Sequence, residues 1–252
     1  MIRRAFTLIE LLVVVAIIGI LLALVFPSLN RAIGRGRRIQ CVSQLRQLSM
    51  AFQAYATQYH GVLPPTRSAG PADWQKSPWV GSECQWGSVE GALVPFVGSP
   101  ETVRRLVRCP ALPPGVLTSG VGSNGRFDYA TIEGWGGFKL SRAPSYATLK
   151  YDGRTEKYPT PLLQEEDPWF NINRSNVDPF HGNVDRLGSW HEGIGNYAAV
   201  DGSVHGFEAT YRDSVDNVLG PLAKEWFVVT SSGKELSIGD NKSGNYGFWN
   251  NL

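Results

Sequence analysis

The chain has 252 residues, enough for one domain of ordinary size in addition to a membrane-spanning helix. Its 24 basic and 22 acidic residues give a formal net charge of +2, and the two arginines within residues 1–5 account for that excess, so charge gives no reason to expect a nucleic-acid partner. Charged residues make up only 18%, and the 28 Gly, 16 Pro and 8 Trp indicate a loop-rich body of the kind that suits an extracytoplasmic domain.

The N-terminus consists of a short basic leader followed by one long apolar segment. The leader, residues 1–5, contains two arginines and ends at Ala5. The string Phe-Thr-Leu-Ile-Glu at residues 6–10 follows and continues without a break into an apolar run at residues 11–26. As a helix, residues 6–29 are about 36 Å long, whereas the hydrocarbon core of a bilayer is about 30 Å thick. We therefore predict that residues 6–29 span a membrane.

Glu10 is the only ionisable side chain between Phe6 and Phe26. A carboxylate deep in a membrane span costs about 2.5–3.5 kcal/mol on insertion scales when no partner neutralises it. Because the apolar run contains no basic side chain, we expect the partner of Glu10 to lie on another chain. This favours an assembly subunit over a simple anchor.

Two ordinary kinds of N-terminal segment explain less of this pattern. A secretory signal peptide places its cleavage site after the apolar stretch, and residues 27–34 contain no A-x-A site. A signal anchor accounts for the length of the segment, but neither for Glu10 nor for the string at residues 6–10.

Residues 1–29 resemble a type IV prepilin or a type II secretion pseudopilin. The resemblance rests on the basic leader, the small residue Ala5, the Phe-Thr-Leu-Ile-Glu string and the long apolar helix with Pro27 near its end. It implies cleavage between Ala5 and Phe6 by a prepilin peptidase, methylation of Phe6, and subunit assembly through Glu10 and Pro27. The family usually has Gly where this chain has Ala5, so we expect cleavage to persist at a lower rate.

The resemblance also implies a single-pass protein of the cytoplasmic (inner) membrane, with its head outside the cytoplasm, as a membrane protein or in a periplasmic or surface filament. Arg3 and Arg4 agree with a cytoplasmic N-terminus, whereas four arginines between Arg31 and Arg38 conflict with the positive-inside rule. We follow the motif, because the family's leader is cleaved on the cytoplasmic side.

An amphipathic stretch continues the helix beyond the membrane. Within residues 42–56, apolar residues recur at spacings of three and four, which fits one helical face, and polar residues such as Gln44 and Gln53 take the other face. Gly61 is a C-cap candidate, and two prolines follow it. We predict residues 30–60 to be an amphipathic stem, which makes the whole helix about 80 Å long.

Pro27, Gly34 and Gly36 weaken this helix. Pro removes a backbone hydrogen bond, and each Gly costs about 1 kcal/mol relative to Ala. Two interpretations stay open: a tolerated kink, or, as the resemblance to pilins implies, a segment that stretches or melts when subunits pack.

Residues 61–252 are predicted to form one extracytoplasmic globular head, because neither a linker nor a charge run divides them. Short strand candidates follow the long helix without alternating βα units, which predicts an α+β, pilin-like fold with an antiparallel sheet packed against the helix. The strand candidates are Phe127–Ile132, Pro161–Gln164, Asn196–Val200, Ser203–Phe207 and Trp226–Thr230.

The three cysteines, Cys41, Cys84 and Cys109, cannot all pair within the chain. A head outside the cytoplasm permits one disulfide, and we prefer Cys84–Cys109 because both residues fall in the loop-rich region. Cys41 lies on the stem and is predicted to be a small buried residue. The compartment alone leaves open whether any disulfide forms.

The pair Asp201-Gly202 predicts a two-residue hairpin turn in which both residues take a positive φ. Nine residues separate His191 from Asp201. The segment 191–202 is similar to the H-X9-DG signature of a family of prepilin-like proteins, which also shows a cysteine on the stem helix and a Cys-Pro in the head. Cys41 and Cys109-Pro110 match those two features.

The histidines invite comparison with metal sites, but the sequence contains neither an H-E-x-x-H motif nor EF-hand spacing, and Cys109 is remote from His191. We expect no metal and no cofactor, with His191 bonding the hairpin backbone and Asp201 serving the turn. If a metal binds, calcium is the better candidate, as the resemblance to pseudopilins implies and as a group of carboxylates allows. Those carboxylates belong to Glu165, Glu166, Asp167, Asp178 and Asp185.

The sequence therefore predicts a structural subunit of a type IV pilus-like or type II secretion pseudopilus filament, without enzymatic activity. Its partners would be the prepilin peptidase, other pilin-like subunits and membrane lipid. The alternative is a membrane-tethered ligand-binding or adhesive protein that uses the same insertion route without polymerising. An anchored hydrolase has no G-x-S-x-G, H-E-x-x-H or P-loop string to support it.

Overall fold

The protein is organised around one long helix, α1 (Leu8–Gln58), of 51 residues. The backbone stays helical through Pro27, Gly34 and Gly36. The helix is therefore continuous in the isolated subunit, and both interpretations of that segment stay open. The computed structural model describes residues 8–65, 91–112, 128–132, 135–151, 154–165, 180–181, 191–208, 225–229 and 235–237.

α1 divides into an exposed apolar half and a half that packs against the head. Between Leu8 and Ile33 every large apolar side chain is at least 45% exposed. This half lies in the part of α1 that is long and apolar enough to cross a membrane. From Cys41 onward one stripe of the helix is buried. The stripe consists of Cys41, Gln44, Leu45, Leu48, Ser49, Ala51, Phe52 and Ala56.

The end of α1 is fixed by a left-handed turn that leads into the head. The amide of Gly61 donates to the carbonyl of Ala56 at 2.7 Å, which places His60, with φ 55°, at the first position beyond the cap. The expectation that Gly61 itself would take this position is wrong by one residue. The amide of Leu63 then donates to the carbonyl of Phe138 at 2.8 Å, so the chain joins the head as soon as the helix ends.

The described part of the head contains two short α-helices, one 3-10 helix (Leu140–Arg142) and nine strands. The α-helices are α2 (Val94–Val97) and α3 (Pro100–Leu106). The strands are β1 (Tyr129–Ile132), β2 (Tyr146–Tyr151), β3 (Arg154–Pro159), β4 (Pro161–Glu165), β5 (Phe180–His181), β6 (Ile194–Ala199), β7 (Val204–Glu208), β8 (Glu225–Val229) and β9 (Glu235–Ser237).

The strands form two sheets, one with the order β5-β1-β4-β6-β7 and one with the order β3-β2-β8-β9. Among the described pairs, β1 and β5 are parallel, and the others are antiparallel. The second half of α1 contacts β4, β6 and β7 of the five-stranded sheet. The predicted α+β arrangement, a long N-terminal helix on a head with an antiparallel sheet, is therefore confirmed.

The five predicted strands correspond to β1, β4, β6, β7 and β8, with ends that differ by at most two residues. The structure adds β2, β3, β5 and β9, which the sequence patterns missed. The hairpin of β2 and β3 forms one edge of the four-stranded sheet, and its register pairs Tyr146 with Pro159 and Tyr151 with Arg154.

Two glutamines assigned to the solvent face of the stem contact the head instead. The Gln44 side chain is buried, donates to the carbonyl of Arg105 at 3.2 Å and accepts from the Tyr129 hydroxyl at 3.0 Å. The Gln53 side chain donates to the carbonyl of Val200 at 2.6 Å. The stem therefore packs on the head through hydrogen bonds as well as through its apolar stripe.

The turn between β6 and β7 is not of the predicted two-residue type. Gly202 has φ 89°, whereas Asp201 does not take a positive φ. The Gly202 amide donates to the Ala199 carbonyl at 3.0 Å, and the Ala199 amide donates to the Ser203 carbonyl at 2.8 Å. This is a three-residue loop in which a single left-handed glycine follows a type I turn. In such a loop only Gly202 takes the left-handed conformation. The prediction that both Asp201 and Gly202 have a positive φ is therefore wrong.

Candidate functional site

Four buried side chains with metal-binding donor atoms meet where the stem packs on the head. They are Cys41 on α1, Cys109 after α3, Glu165 at the end of β4 and His191 before β6. One donor atom of each lies within 4.8 Å of all the others, and the residues are no more than 6% exposed. We call these four residues the stem–head cluster.

His191 contacts two members of the cluster through one ring nitrogen. Its Nε2 lies 3.1 Å from Oε1 of Glu165 and 3.7 Å from Sγ of Cys109. The sulfur of Cys41 approaches the same region from the stem. The four donor atoms therefore surround one point rather than forming separate pairs.

The carboxylate of Glu165 is oriented by hydrogen bonds from β6 and, beyond it, from the stem. The side-chain amide of Asn196 donates to Oε1 at 2.8 Å, and its backbone amide donates to Oε2 at 2.9 Å. The Nε of Arg38 donates to Oδ1 of Asn196 at 3.2 Å. A chain of hydrogen bonds thus runs from the stem through Asn196 to the buried carboxylate.

Cys109 is held by a buried aspartate just before β1. The amide of Cys109 donates to Oδ2 of Asp128 at 2.6 Å, and Nε of Arg108 lies 3.2 Å from the same oxygen. The amide of Asp128 donates to the Val107 carbonyl at 2.8 Å. Burial raises the pKa of Asp128 to about 6, although the Arg108 guanidinium opposes the increase. These contacts fix the backbone from which the Cys109 sulfur projects.

A tight turn positions His191 at the start of β6. The His191 amide donates to the Ile194 carbonyl at 3.3 Å, and the Ile194 amide donates to the His191 carbonyl at 3.1 Å. Glu192 and Gly193 between them have φ 56° and 87°. A positive φ is uncommon for a residue such as Glu192. The backbone of His191 closes this turn, whereas its side chain contacts Glu165 and Cys109. The expectation that His191 bonds the backbone of the β6–β7 hairpin is therefore wrong.

The charges within the cluster depend on its close contacts. Burial lowers the pKa of His191, but its hydrogen bonds with Cys109 and Glu165 outweigh burial and raise the pKa to about 9. The contact with the Cys41 sulfur, reinforced by burial, raises the pKa of the Cys109 thiol. In the metal-free protein, these hydrogen bonds therefore favour the protonated form of His191 beside the Cys109 thiol. Two sulfurs, one imidazole and one carboxylate are also donors that transition metals accept.

Some of the predicted site residues lie away from this cluster. Ala5, Phe6 and Cys84 are outside the described residues, so the cleavage site and the methylation stay predictions. Cys109 is a free, buried thiol, which contradicts the predicted Cys84–Cys109 disulfide. Glu10 and Pro27 lie on the exposed half of α1. Both lie in the part of α1 that is long and apolar enough to cross a membrane, and their role in subunit assembly stays a prediction.

The residues of the H-X9-DG segment separate into two places. His191 joins the stem–head cluster, whereas the Asp201 carboxylate accepts a hydrogen bond from the Ser203 amide at 2.9 Å in the β6–β7 turn beside Gly202. The separation of Cys109 and His191 in the sequence was a reason to expect no metal. That reason does not hold, because Cys109 Sγ lies 3.7 Å from His191 Nε2. The absence of a metal itself stays a prediction.

Of the carboxylates considered for calcium, the structure describes only Glu165, and that carboxylate faces two cysteines. Sulfur is not a ligand that calcium prefers. The other four, which lie outside the described residues, are Glu166, Asp167, Asp178 and Asp185.

The approach of Cys41 to Cys109 and the hydrogen bonds of Asn196 and Arg38 were not among the predictions from the sequence. A signal for the cluster was nevertheless present. Cys41, Cys109 and His191 are three of the positions on which the resemblance to H-X9-DG proteins rests, and the structure brings those three together.

Comparison with known proteins supports the interpretation of the N-terminus. Residues 1–26 match a family described as the prokaryotic N-terminal methylation motif. No curated protein and no solved structure matches the chain. The chain is therefore type IV prepilin-like in its N-terminal segment. Among the described residues, α1 is the one helix long and apolar enough to cross a membrane, which fits a single-pass membrane anchor.

Proposed function

We propose that the protein is a structural subunit, cleaved and N-methylated by a prepilin peptidase and assembled into a type IV pilus-like or type II secretion pseudopilus filament. The observation that carries this proposal is the division of α1. The head covers a stripe of its second half, whereas residues 8–33 expose their apolar side chains and follow a prepilin-type processing motif.

The exposed half of α1 needs a covering environment. A helix of this length exposes far more contiguous apolar surface than a soluble monomer tolerates. Lipid covers it while the protein is in the cytoplasmic membrane, with the head outside the cytoplasm. In a filament, the same half of neighbouring subunits replaces the lipid, because helices with similar apolar faces can pack against each other.

Glu10 adds a charge to this otherwise apolar surface. Cleavage between Ala5 and Phe6 creates a new amine four residues before Glu10. In a low-dielectric environment a carboxylate is tolerated when a cation lies beside it. We assign that role to the Phe6 amine of an adjacent subunit, which makes Glu10 a determinant of assembly and subunit register.

Crosslinking in cells that contain the assembly machinery tests this proposal. A reporter cysteine at Ile39, which is 69% exposed on the stem, detects neighbouring subunits. With the reporter present, Glu10→Val should still insert and be cleaved, because the span becomes more apolar. Its stem crosslinks, and its recovery in sheared filaments, should fall at least about tenfold, the factor that a loss of 1.4 kcal/mol per contact gives.

Leu11→Val is the matched control, since it changes an exposed neighbour and keeps the carboxylate. It should crosslink like the parent. If Glu10→Val crosslinks as well as Leu11→Val, the protein is a solitary anchored head, and a tethered ligand-binding or adhesive role replaces the filament.

A further inference from the structure

We infer that Cys41, Cys109, Glu165 and His191 bind one structural Zn²⁺ ion that fastens the stem helix to the head. Nothing in the N-terminal motif implies a metal, so the inference rests on the stem–head cluster alone. It goes beyond the proposed filament and holds whether or not the protein polymerises.

The spacing of the donor atoms fits a tetrahedral zinc site. Zinc bonds of about 2.3 Å to sulfur and about 2.0–2.2 Å to nitrogen or oxygen give tetrahedral edges of about 3.6 Å between sulfur and nitrogen and about 3.4 Å between nitrogen and oxygen. The corresponding distances are 3.7 Å from Cys109 Sγ to His191 Nε2, and 3.1 Å from His191 Nε2 to Glu165 Oε1. Two of the six edges are therefore within about 0.3 Å of their tetrahedral lengths, and the remaining donor, Cys41 Sγ, lies within 4.8 Å of the other three.

The choice of metal follows from the donor types. Two thiolates and an imidazole favour a borderline or soft ion, which excludes calcium and magnesium. A carboxylate as the fourth ligand suits Zn²⁺, which takes sulfur, nitrogen and oxygen ligands in the same tetrahedron. All four residues are buried, so the protein supplies a closed coordination shell. A closed shell is typical of structural zinc, whereas catalytic zinc keeps one position open for water.

Contacts around the cluster support this role. Metal ligands are usually oriented by a second layer of hydrogen bonds. Asn196 holds both oxygens of Glu165, and Asp128 holds the Cys109 amide. Zn²⁺ with two thiolates and a carboxylate carries a charge of −1, and the Arg38 guanidinium, bound to Asn196, offsets it. The ligand side chains are therefore preorganised before an ion arrives.

The consequence is a clamp between elements that are distant along the chain. Cys41 belongs to the stem, whereas the other three ligands lie in three separate parts of the head. Because the unfolded chain does not hold these ligands together, zinc binds the folded form preferentially and stabilises it. The clamp lies close to the junction where α1 changes from its exposed half to its packed half.

A disulfide between Cys41 and Cys109 is the competing use of the same two sulfurs. It would leave His191 and Glu165 as an ion pair and would exclude the metal. The test must therefore report on the metal and on the oxidation state of the thiols in the same sample.

The experiment uses the full-length protein purified in detergent with a phosphine reductant, incubated with Zn²⁺ and freed of excess ion by gel filtration. Elemental analysis should find about one zinc per chain, as a closed site requires. Cys41→Ser and His191→Gln should each reduce the zinc retained after gel filtration at least about tenfold. The matched controls are Cys84→Ser, for the remaining cysteine, and Glu192→Gln, for an exposed residue beside His191. Both should keep the parent's zinc content.

A measurement on the parent protein covers the case in which ligand variants fail to fold. Replacement of zinc by Co²⁺ should give the near-ultraviolet thiolate-to-cobalt band and the intense visible bands of a tetrahedral site, with two thiolates bound. Removal of zinc with a chelator should lower the unfolding temperature, and restoring zinc should raise it again.

Three results would each overturn the inference. The first is that the reduced parent protein, after incubation with zinc and gel filtration, contains no more zinc than the buffer. Another is a Cys41–Cys109 disulfide, found by mass spectrometry, that reforms in the presence of zinc. The third is cobalt bound with octahedral spectra and no thiolate band, which would indicate oxygen ligands elsewhere in the chain.

Discussion

Asn196 donates to both oxygens of the Glu165 carboxylate, with its side-chain amide 2.8 Å from one oxygen and its backbone amide 2.9 Å from the other. Both residues are fully buried. A buried carboxylate is tolerated when hydrogen bonds and a counter-charge replace its water. Asn196 supplies the hydrogen bonds, and in the metal-free protein the His191 ring, 3.1 Å away, supplies the counter-charge when it is protonated. The cluster therefore depends on a residue that binds none of its sulfurs.

Replacement of Asn196 by Ala tests this dependence. The backbone hydrogen bond remains, but the side-chain bond to a buried charged group is lost, so the free energy of unfolding should fall by about 1.5–3 kcal/mol. Asn196→Asp should cost more, because it places a second carboxylate beside Glu165. Urea unfolding of the full chain in detergent measures both changes.

Thr57→Ala is the control for Asn196, because Thr57 is an exposed stem residue whose hydroxyl contacts only a carbonyl of its own helix. It should change the free energy of unfolding by no more than about 0.5 kcal/mol. An Asn196→Ala value as small as this would show that the side chain does not support the carboxylate.

How far the fold could be predicted from the sequence depended on the length of each pattern. α1 was predicted to within a few residues, because its apolar periodicity runs over many turns. β2 and β3 were missed although Asp152-Gly153, a hairpin signal, stands between them in the sequence. Three of the six residues of β3 are charged, which obscured the alternation expected of its half of the hairpin. β5 and β9 have two and three residues, which is too short for any period to show.

The stem–head cluster could not be predicted from the sequence, because its residues come together only in the folded protein. Its four residues lie in four separate parts of the chain. The spacing between Cys41 and His191 along the sequence therefore says nothing about their distance in space. Only the packing of the stem on β4 and β6 brings them together. The same packing explains the glutamines. The sequence shows Gln44 and Gln53 on the polar face of the stem helix. Their side chains nevertheless form hydrogen bonds with backbone carbonyls and a hydroxyl group of the head.

The packed half of α1 should carry most of the stability of the stem–head interface. Leu45 is fully buried in the core, whereas Ile39, six residues earlier on the same helix, is 69% exposed. Leu45→Ala should lower the free energy of unfolding by about 2–5 kcal/mol, because it leaves a cavity. Ile39→Ala is the control and should cost less than about 0.5 kcal/mol in the isolated protein. Equal losses at the two positions would mean that the head does not pack on this face of the stem.

Processing between Ala5 and Phe6 is expected from the match at residues 1–26. In cells with an active prepilin peptidase, mass spectrometry should find a mature chain that begins with methylated Phe6. Ala5→Gly should be cleaved at least as fast as the parent, since it supplies the residue that prepilins usually have. A chain that keeps Met1 under these conditions contradicts the prepilin interpretation, and this conclusion does not depend on the function of the head.

The free energy of unfolding should fall in acid because of the Asp201 carboxylate in the β6–β7 turn. Hydrogen bonds from the Ser203 hydroxyl and amide hold the pKa of Asp201 below its usual value of 3.8. The folded state therefore binds this proton more weakly than the unfolded state does, so the stabilisation is complete above pH 3.8 and is lost as the pH falls through the folded pKa. The parent should accordingly be more stable than Asp201→Asn at pH 7, and the difference in their free energies of unfolding should shrink by pH 3. In a Ser203→Ala background the shrinkage should be smaller, because one donor to the carboxylate is gone. A difference between parent and Asp201→Asn that stays constant from pH 7 to pH 3 would show that the turn does not depend on the charge of Asp201.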